Sequence, residues 1–428
     1  MAGAVLSRRT VVAGAAVAAG AFGVGLLGAG RWLRRGESAA ALAGVRWLEH
    51  PAGTGARLPR LAVHPDGGFV LCWVERVGAG HALRCARHVE GAWLPAVEVA
   101  RGENWFVNWL DFPSVVPIDR DFWLAHRLVL RAGGGRYDYD IALALSDDGG
   151  RTWRDAGRPY TSTTAAEYGF ASIFADGDAA AIVWLDGREY VKAAERPLHP
   201  DKSGNFALRA TRVARDGHVE ADRVLDANVC TCCQTAAAVT DRGALVAYRG
   251  RTEDELRDNK LVRRVAGAWS GPVDLGAEGW TIAACPTNGP ALAARDSRVV
   301  AAWFTAAGDR PRVRAALSVD GGATWREPIE LDTAAPLGRV GAAWVDAQRA
   351  AVSWIGAPAM GDGRAPLMLA LLDARGREHA RGWITRVAAN RDSGLPQLVA
   401  DRDRLVAAWT EPAPQYGIRL AEVDARAF

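Results

Sequence analysis

In this chain of 428 residues, 52 Lys and Arg stand against 49 Asp and Glu, a formal charge of only +3 with no basic stripe in the body, so nucleic acid is not an expected partner. Seventeen Trp and 47 Gly against 3 Met argue against long amphipathic helices and for short strands that pack flat rings between sheets. An apolar content of 49% is enough for a large core, and the fold class is read as all-β.

Residues 1–43 read as an address rather than as fold. Ser7-Arg8-Arg9-Thr10-Val11-Val12 follows the twin-arginine export pattern, and an uncharged stretch rich in Ala and Gly continues to Gly30. Small residues at Ala39-Ala40-Ala41 or Ala41-Leu42-Ala43 suit cleavage. Uncleaved, the stretch of about 20 residues would be an N-terminal anchor and the chain's one contact with a membrane. Either way the folded part is expected at 44–428, in the periplasm or outside the cell.

Self-comparison then finds one pattern seven times, at 58–73, 112–126, 169–184, 235–248, 289–303, 341–354 and 395–409. Each copy is a turn, an apolar strand, a polar turn and a second strand ending near an aromatic, with one or two further alternating runs behind it. A period of about 55 residues with four strands per unit predicts a β-propeller of four-stranded blades. Seven blades are expected, or six if one unit is misread. The last copy lacks a fourth strand, and 45–49 can supply it, closing the ring and removing its open edges.

Two segments, 146–153 and 318–325, carry the pattern S-x-D-x-G-x-T-W about three repeats apart. Ser and Asp can bond the turn backbone, Gly can take positive φ, and Trp can plug the gap between blades, so both are expected between third and fourth strands. Those turns share one face with the turns between first and second strands. Function is therefore expected on the other face, which carries the blade-opening loops and the loops between second and third strands.

The unusual residues fall in those loops. Arg57, Arg188, Arg249 and Arg251 are candidate ligand-binding cations, because Arg forks bind carboxylates, and Trp105, Trp109 and Trp280 are candidate platforms for sugar faces. Each ring has the alternative of packing between blades. Cys230, Cys232 and Cys233 open the fourth blade and Cys285 opens the fifth, so four thiols can meet on one rim. Two readings stand: a Cu or Zn site, or one or two disulfides favoured by an oxidising exterior. Cys72 and Cys85 are expected opposite one another in the first blade, as a local disulfide or as buried thiols.

On these repeats and on the segments NWLDFPS (108–114), AEYGFAS (166–172), WLDGR (184–188), CTCCQT (230–235) and CPTNGPA (285–291), the chain resembles exported bacterial sialidase-like propellers, also called BNR or Asp-box proteins. The resemblance implies a glycan-binding or exo-α-sialidase-like protein whose Asp-boxes are structural. In sialidases an Arg triad grips the sugar carboxylate, a Tyr assisted by Glu is the nucleophile, and an Asp is the acid/base. Arg57-Leu58-Pro59 is similar to the motif of the first triad Arg. The loop 76–81, where the Asp is expected, contains none. Asp111, Glu167 and Asp186 are then the substitute carboxylates, with Tyr168 as nucleophile beside Glu167. Three functions are carried forward: a glycan-binding or glycan-cleaving protein, a metal-binding accessory protein of the cell envelope, and a scaffold for protein partners.

Overall fold

The computed structural model describes residues 39–190, 205–412, 414 and 416–427. Each repeat becomes one antiparallel sheet, and seven sheets form. The paired first and second strands of blades 1 to 7 are Arg57–Val63 with Phe69–Val77, Ser114–Pro117 with Trp123–Leu130, Tyr168–Asp176 with Ala179–Asp186, Ala236–Thr240 with Gly243–Arg249, Ala291–Arg295 with Arg298–Thr305, Gly338–Trp344 with Arg349–Ile355, and Gln397–Asp401 with Arg404–Glu411. Every first strand lies against the first strands of both neighbouring blades, blade 7 against blade 1 included, so the sheets close into a ring. A cavity of about 460 Å³ runs along the axis, walled by the first strands of blades 1, 4, 5, 6 and 7.

Burial explains why the second strands read as continuous apolar runs. Ala179–Asp186 is buried at every position, whereas the outer strand of the same blade, Arg223–Val229, is largely exposed. A strand covered by neighbouring sheets on both faces has no polar side, and an outermost strand does. The repeated aromatics Trp73, Trp184, Tyr248, Trp303, Trp354 and Trp409 are buried here, where a ring nitrogen needs a partner. The acid is supplied two residues on in three blades: Trp73 donates to Glu75 at 2.6 Å, Trp184 to Asp186 at 2.8 Å and Trp409 to Glu411 at 3.2 Å.

The two S-x-D-x-G-x-T-W turns lie between third and fourth strands of blades 2 and 5, as expected. Ser146 Oγ accepts from the Gly150 amide at 2.9 Å, while Asp148 accepts from the Thr152 amide and hydroxyl at 2.9 and 2.7 Å. Ser318, Gly322, Asp320 and Thr324 repeat the pattern at 2.9, 2.9 and 2.6 Å. The hydrogen bonds to Thr152 and the Thr152 amide hold the Asp148 carboxyl down at about 2.

Ring closure also follows the sequence reading. Val45–Trp47 pairs with Gly417–Asp424, with Val45 opposite Val423 and Trp47 opposite Ala421. Residues 39–43, which composition placed with the leader, lie along blade 6: Leu42 donates to the Trp383 carbonyl and Trp383 donates to that of Ala40, both at 3.0 Å. Gly382 makes this approach possible, since a Cβ there would stand 2.2 Å from Leu42. The twin-arginine segment and the apolar stretch to Gly30 lie outside the described residues. Among the described residues no helix is long and apolar enough to cross a membrane.

Candidate functional site

The residues singled out from sequence do reach the expected face, but they divide into three groups rather than one pocket. The first group is built on Asp111. Its Oδ1 accepts from the Phe170 amide at 2.8 Å and its Oδ2 from the Tyr139 hydroxyl at 2.8 Å. Phe170 has φ of 53° beside a register shift in its strand, so the buried carboxylate fixes an irregular blade opening. Gly169 is required there, because a Cβ would lie 1.8 Å from Asp111 Oδ2. The Tyr139 hydroxyl also lies 3.0 Å from Glu167 Oε1. One phenol proton cannot serve two carboxylates, so the second contact calls for a proton on a carboxyl group. Burial accordingly raises Asp111 to about 7, and burial with the Asp111 charge raises Glu167 to about 8. Asp111 is 3% exposed and fully engaged. Glu167 is half-buried, which makes it the member of the pair able to act as an acid.

Tyr168 is not beside Glu167 in space, because neighbouring side chains on a strand point to opposite faces. Its hydroxyl donates to the Thr164 carbonyl at 2.9 Å, its ring stacks on Tyr160 at 4.3 Å, and the residue is buried. Asp186 is committed to the repeat's own Trp184 contact and to a bidentate pair with Arg188 at 2.8 and 2.6 Å. Arg188 in turn lies over the Tyr160 and Tyr168 rings. These three form a closed inter-blade cluster.

The second group surrounds the cysteines. The sulfurs of Cys230, Cys232 and Cys233 lie within 4.8 Å of one another, with Cys230 at 3.8 Å from Cys232 and 3.3 Å from Cys233. The exposed Cys285 approaches from the next blade opening, its sulfur 4.0 Å from Thr231 Oγ1 and outside the close group of three. Arg257 Nη1 donates to Cys230 at 3.3 Å. Burial opposes ionisation of Cys230, but the other two thiols and the Arg257 charge hold it well below the usual thiol range. Arg251 does not face a ligand: it grips Glu255 at 3.1 and 2.5 Å, and Glu255 holds Arg257 at 3.0 and 2.6 Å. Arg249 is 1% exposed and donates to the carbonyls of Arg257, Asn288 and Phe304 at 2.6 to 3.0 Å, with Trp280 packed over it at 4.9 Å. Cys72 and Cys85 are cross-strand partners in blade 1 and are buried free thiols.

The third group opens to solvent. A cavity of about 130 Å³ between the openings of blades 7, 1 and 2 is lined by Arg57, Asn108, Trp109, Arg391, Asp392 and Tyr416, among others. Trp109 carries Arg391 at 5.7 Å and the buried Arg339 at 5.0 Å. Arg339 donates to the carbonyls of Asn390 and Gly394 and to Ser393 Oγ, and burial with the nearby Arg391 charge brings its guanidinium down to about 10. Among the described residues none of these three guanidinium groups has a carboxylate partner. Of the three candidate rings only Trp109 lines this cavity; Trp105, 6% exposed, is packed between blades 1 and 2. Arg339 and Arg391 were missed from sequence, as neither sits in a motif. The aromatic opening of blade 2 was the available signal, but it does not name its partners across the ring.

No protein-family profile and no curated protein sequence matches the chain. Among solved structures, polysaccharide lyase Uly1 is similar at 8% identity over 93% of this chain and 94% of that one, with a TM-score of 0.50. A protein of unknown function from Dyadobacter fermentans is 14% identical over 89% of this chain and 99% of that chain, with a TM-score of 0.48. The NanB sialidase of Streptococcus pneumoniae is 12% identical over 89% and 70%, with a TM-score of 0.43. At such identities the likeness speaks for the fold alone: this is a seven-bladed β-propeller, an architecture that carbohydrate-active enzymes share.

Proposed function

We propose that this protein binds an acidic, carboxylate-bearing glycan at the cavity between blades 7, 1 and 2, outside the cytoplasm. The observation that carries this reading is the set of guanidinium groups of Arg57 and Arg391 beside the Trp109 ring, with no carboxylate partner among the described residues. With two cations unpaired and Asp392 the one acid among the described lining residues, the cavity keeps a surplus of positive charge that suits an anion, and an aromatic plane beside it suits a sugar face. The volume equals roughly four waters, so it takes one end of a sugar acid rather than a chain segment. Polysaccharide lyase Uly1, a protein of the same fold, acts on a polysaccharide, as its name states. The twin-arginine pattern at Ser7 to Val12 is the reason we place that ligand outside the cytoplasm.

Cleavage is the finer part of the reading. Glu167, kept protonated near neutrality by burial and by Asp111, does not line this cavity, and it is the acid we assign only for a sugar that extends beyond the cavity to the opening of blade 3. Calorimetry with sialylated and uronic-acid oligosaccharides against their neutral counterparts tests binding: acidic sugars should bind, and Arg57→Ala or Arg391→Ala should weaken them about tenfold or more. Equal binding of acidic and neutral sugars, or of neither, would overturn the reading. Release of a terminal sugar that vanishes in Glu167→Gln supports hydrolysis; binding without release makes the protein a lectin.

A further inference from the structure

Independently of the glycan reading, we propose that Cys230, Cys232, Cys233 and Cys285 form a thiolate site for one thiophilic metal ion, Cu(I) or Zn(II). Three of the chain's six cysteines cluster at one blade opening, and Cys285 approaches them from the next, beside Thr231. Thiolates about 2.3 Å from a metal lie about 4 Å apart in trigonal or tetrahedral array. The inner sulfurs, at 3.3 and 3.8 Å and all within 4.8 Å, reach that spacing with adjustments of less than about 1 Å.

The surroundings supply a second, separate argument. Arg257, 5% exposed, directs an N–H at Cys230 Sγ, and a buried guanidinium is costly unless it faces negative charge. Glu255 answers one positive charge of the Arg251 and Arg257 pair and leaves one over. Arg249, buried at the same blade opening, has no carboxylate partner among the described residues. About two positive charges are thus unanswered, which matches the charge of −2 on Cu(I) with three thiolates or on Zn(II) with four. The Arg251-Glu255-Arg257 chain fixes the donor to one sulfur, as outer partners of metal ligands do. Exposure is graded: Cys230 and Cys233 are buried, Cys232 is half-buried and Cys285 is exposed, so an ion can arrive through Cys285 and settle inward.

The test is anaerobic titration of the reduced full chain with Cu(I) or Zn(II) against a colorimetric chelator, with metal per chain counted by elemental analysis. One equivalent should bind, and Cys230→Ser with Cys233→Ser should lower affinity at least 100-fold. Should that double variant fail to fold, two milder ones decide. Cys285→Ser, at an exposed position, should weaken binding about tenfold, and Arg257→Gln, which keeps every thiol, should weaken it 10- to 100-fold as outer-sphere changes do. A reduced chain that binds no stoichiometric metal sinks the proposal. Metal that binds equally to wild type and to all variants sinks it too. Disulfides Cys230–Cys233 and Cys232–Cys285 that persist under reductant make the cluster a clasp and likewise overturn it. Because sugars are absent throughout, these outcomes leave the glycan reading untouched.

Discussion

Two arginine-rich regions of the same face contrast sharply. At the openings of blades 4 and 5, Arg249, Arg251 and Arg257 are bound to three carbonyls, a carboxylate and a sulfur, and each guanidinium is part of the packing. At the openings of blades 7, 1 and 2, Arg57 and Arg391 border a cavity that Asp392 also lines, and among the described residues neither forms an ion pair. The lesson is that an arginine's role is read from its partners and not from its place on a functional face. A satisfied guanidinium holds the scaffold together, whereas an unsatisfied one is available to a ligand.

That contrast is open to measurement, beginning with the largest change. Arg249→Ala strands three buried carbonyl oxygens and should cost about 3–5 kcal/mol of stability, seen as an earlier denaturant midpoint. Gly169→Ala forces the backbone and Asp111 apart and should cost about 1–3 kcal/mol, read the same way. The carboxyl pair should act through pH. Asp111 and Glu167 are raised in the folded state, so they favour folding at acid pH, and this contribution is lost as pH rises from about 4 to about 8. Glu167→Gln should flatten the fall of melting temperature across that window; an unchanged slope would mean the pair does not share a proton. Arg57→Ala and Arg391→Ala should change stability by only about 0.5 kcal/mol or less while weakening an acidic ligand. If Arg57→Ala destabilises the fold as much as Arg249→Ala, the distinction between the two regions collapses.

Sequence carried the fold well, because its signals are repeated. Seven turn-strand-turn-strand copies, two Asp-boxes in phase and a spare strand at 45–49 all report one periodic backbone, and Val45–Trp47 takes its place in the ring. The site was less legible because its partners come from different repeats. Tyr139, which ties Asp111 to Glu167, lies in a third strand with no motif around it. Asp186 looked like a site acid, although Trp73-Val74-Glu75 and Trp409-Thr410-Glu411 carry the same W-x-acid spacing and mark it as a repeat position. Tyr168 was placed by adjacency to Glu167, where strand alternation puts it on the opposite side. The three thiols at 230–233, by contrast, were close in sequence and could hardly fail to meet.

The seam in blade 7 has a consequence for when the molecule can become whole. Its sheet joins strands from the two ends of the folded chain, Val45–Trp47 with Gly417–Asp424, so a ribosome must finish the last blade before the first described strand finds its neighbour. The six preceding blades can assemble during synthesis, but the circle stays open until Gly417–Asp424 has emerged. The ring is therefore held shut by its most distant pair of strands, and without Val45–Trp47 the strand Gly417–Asp424 would be left as an open edge.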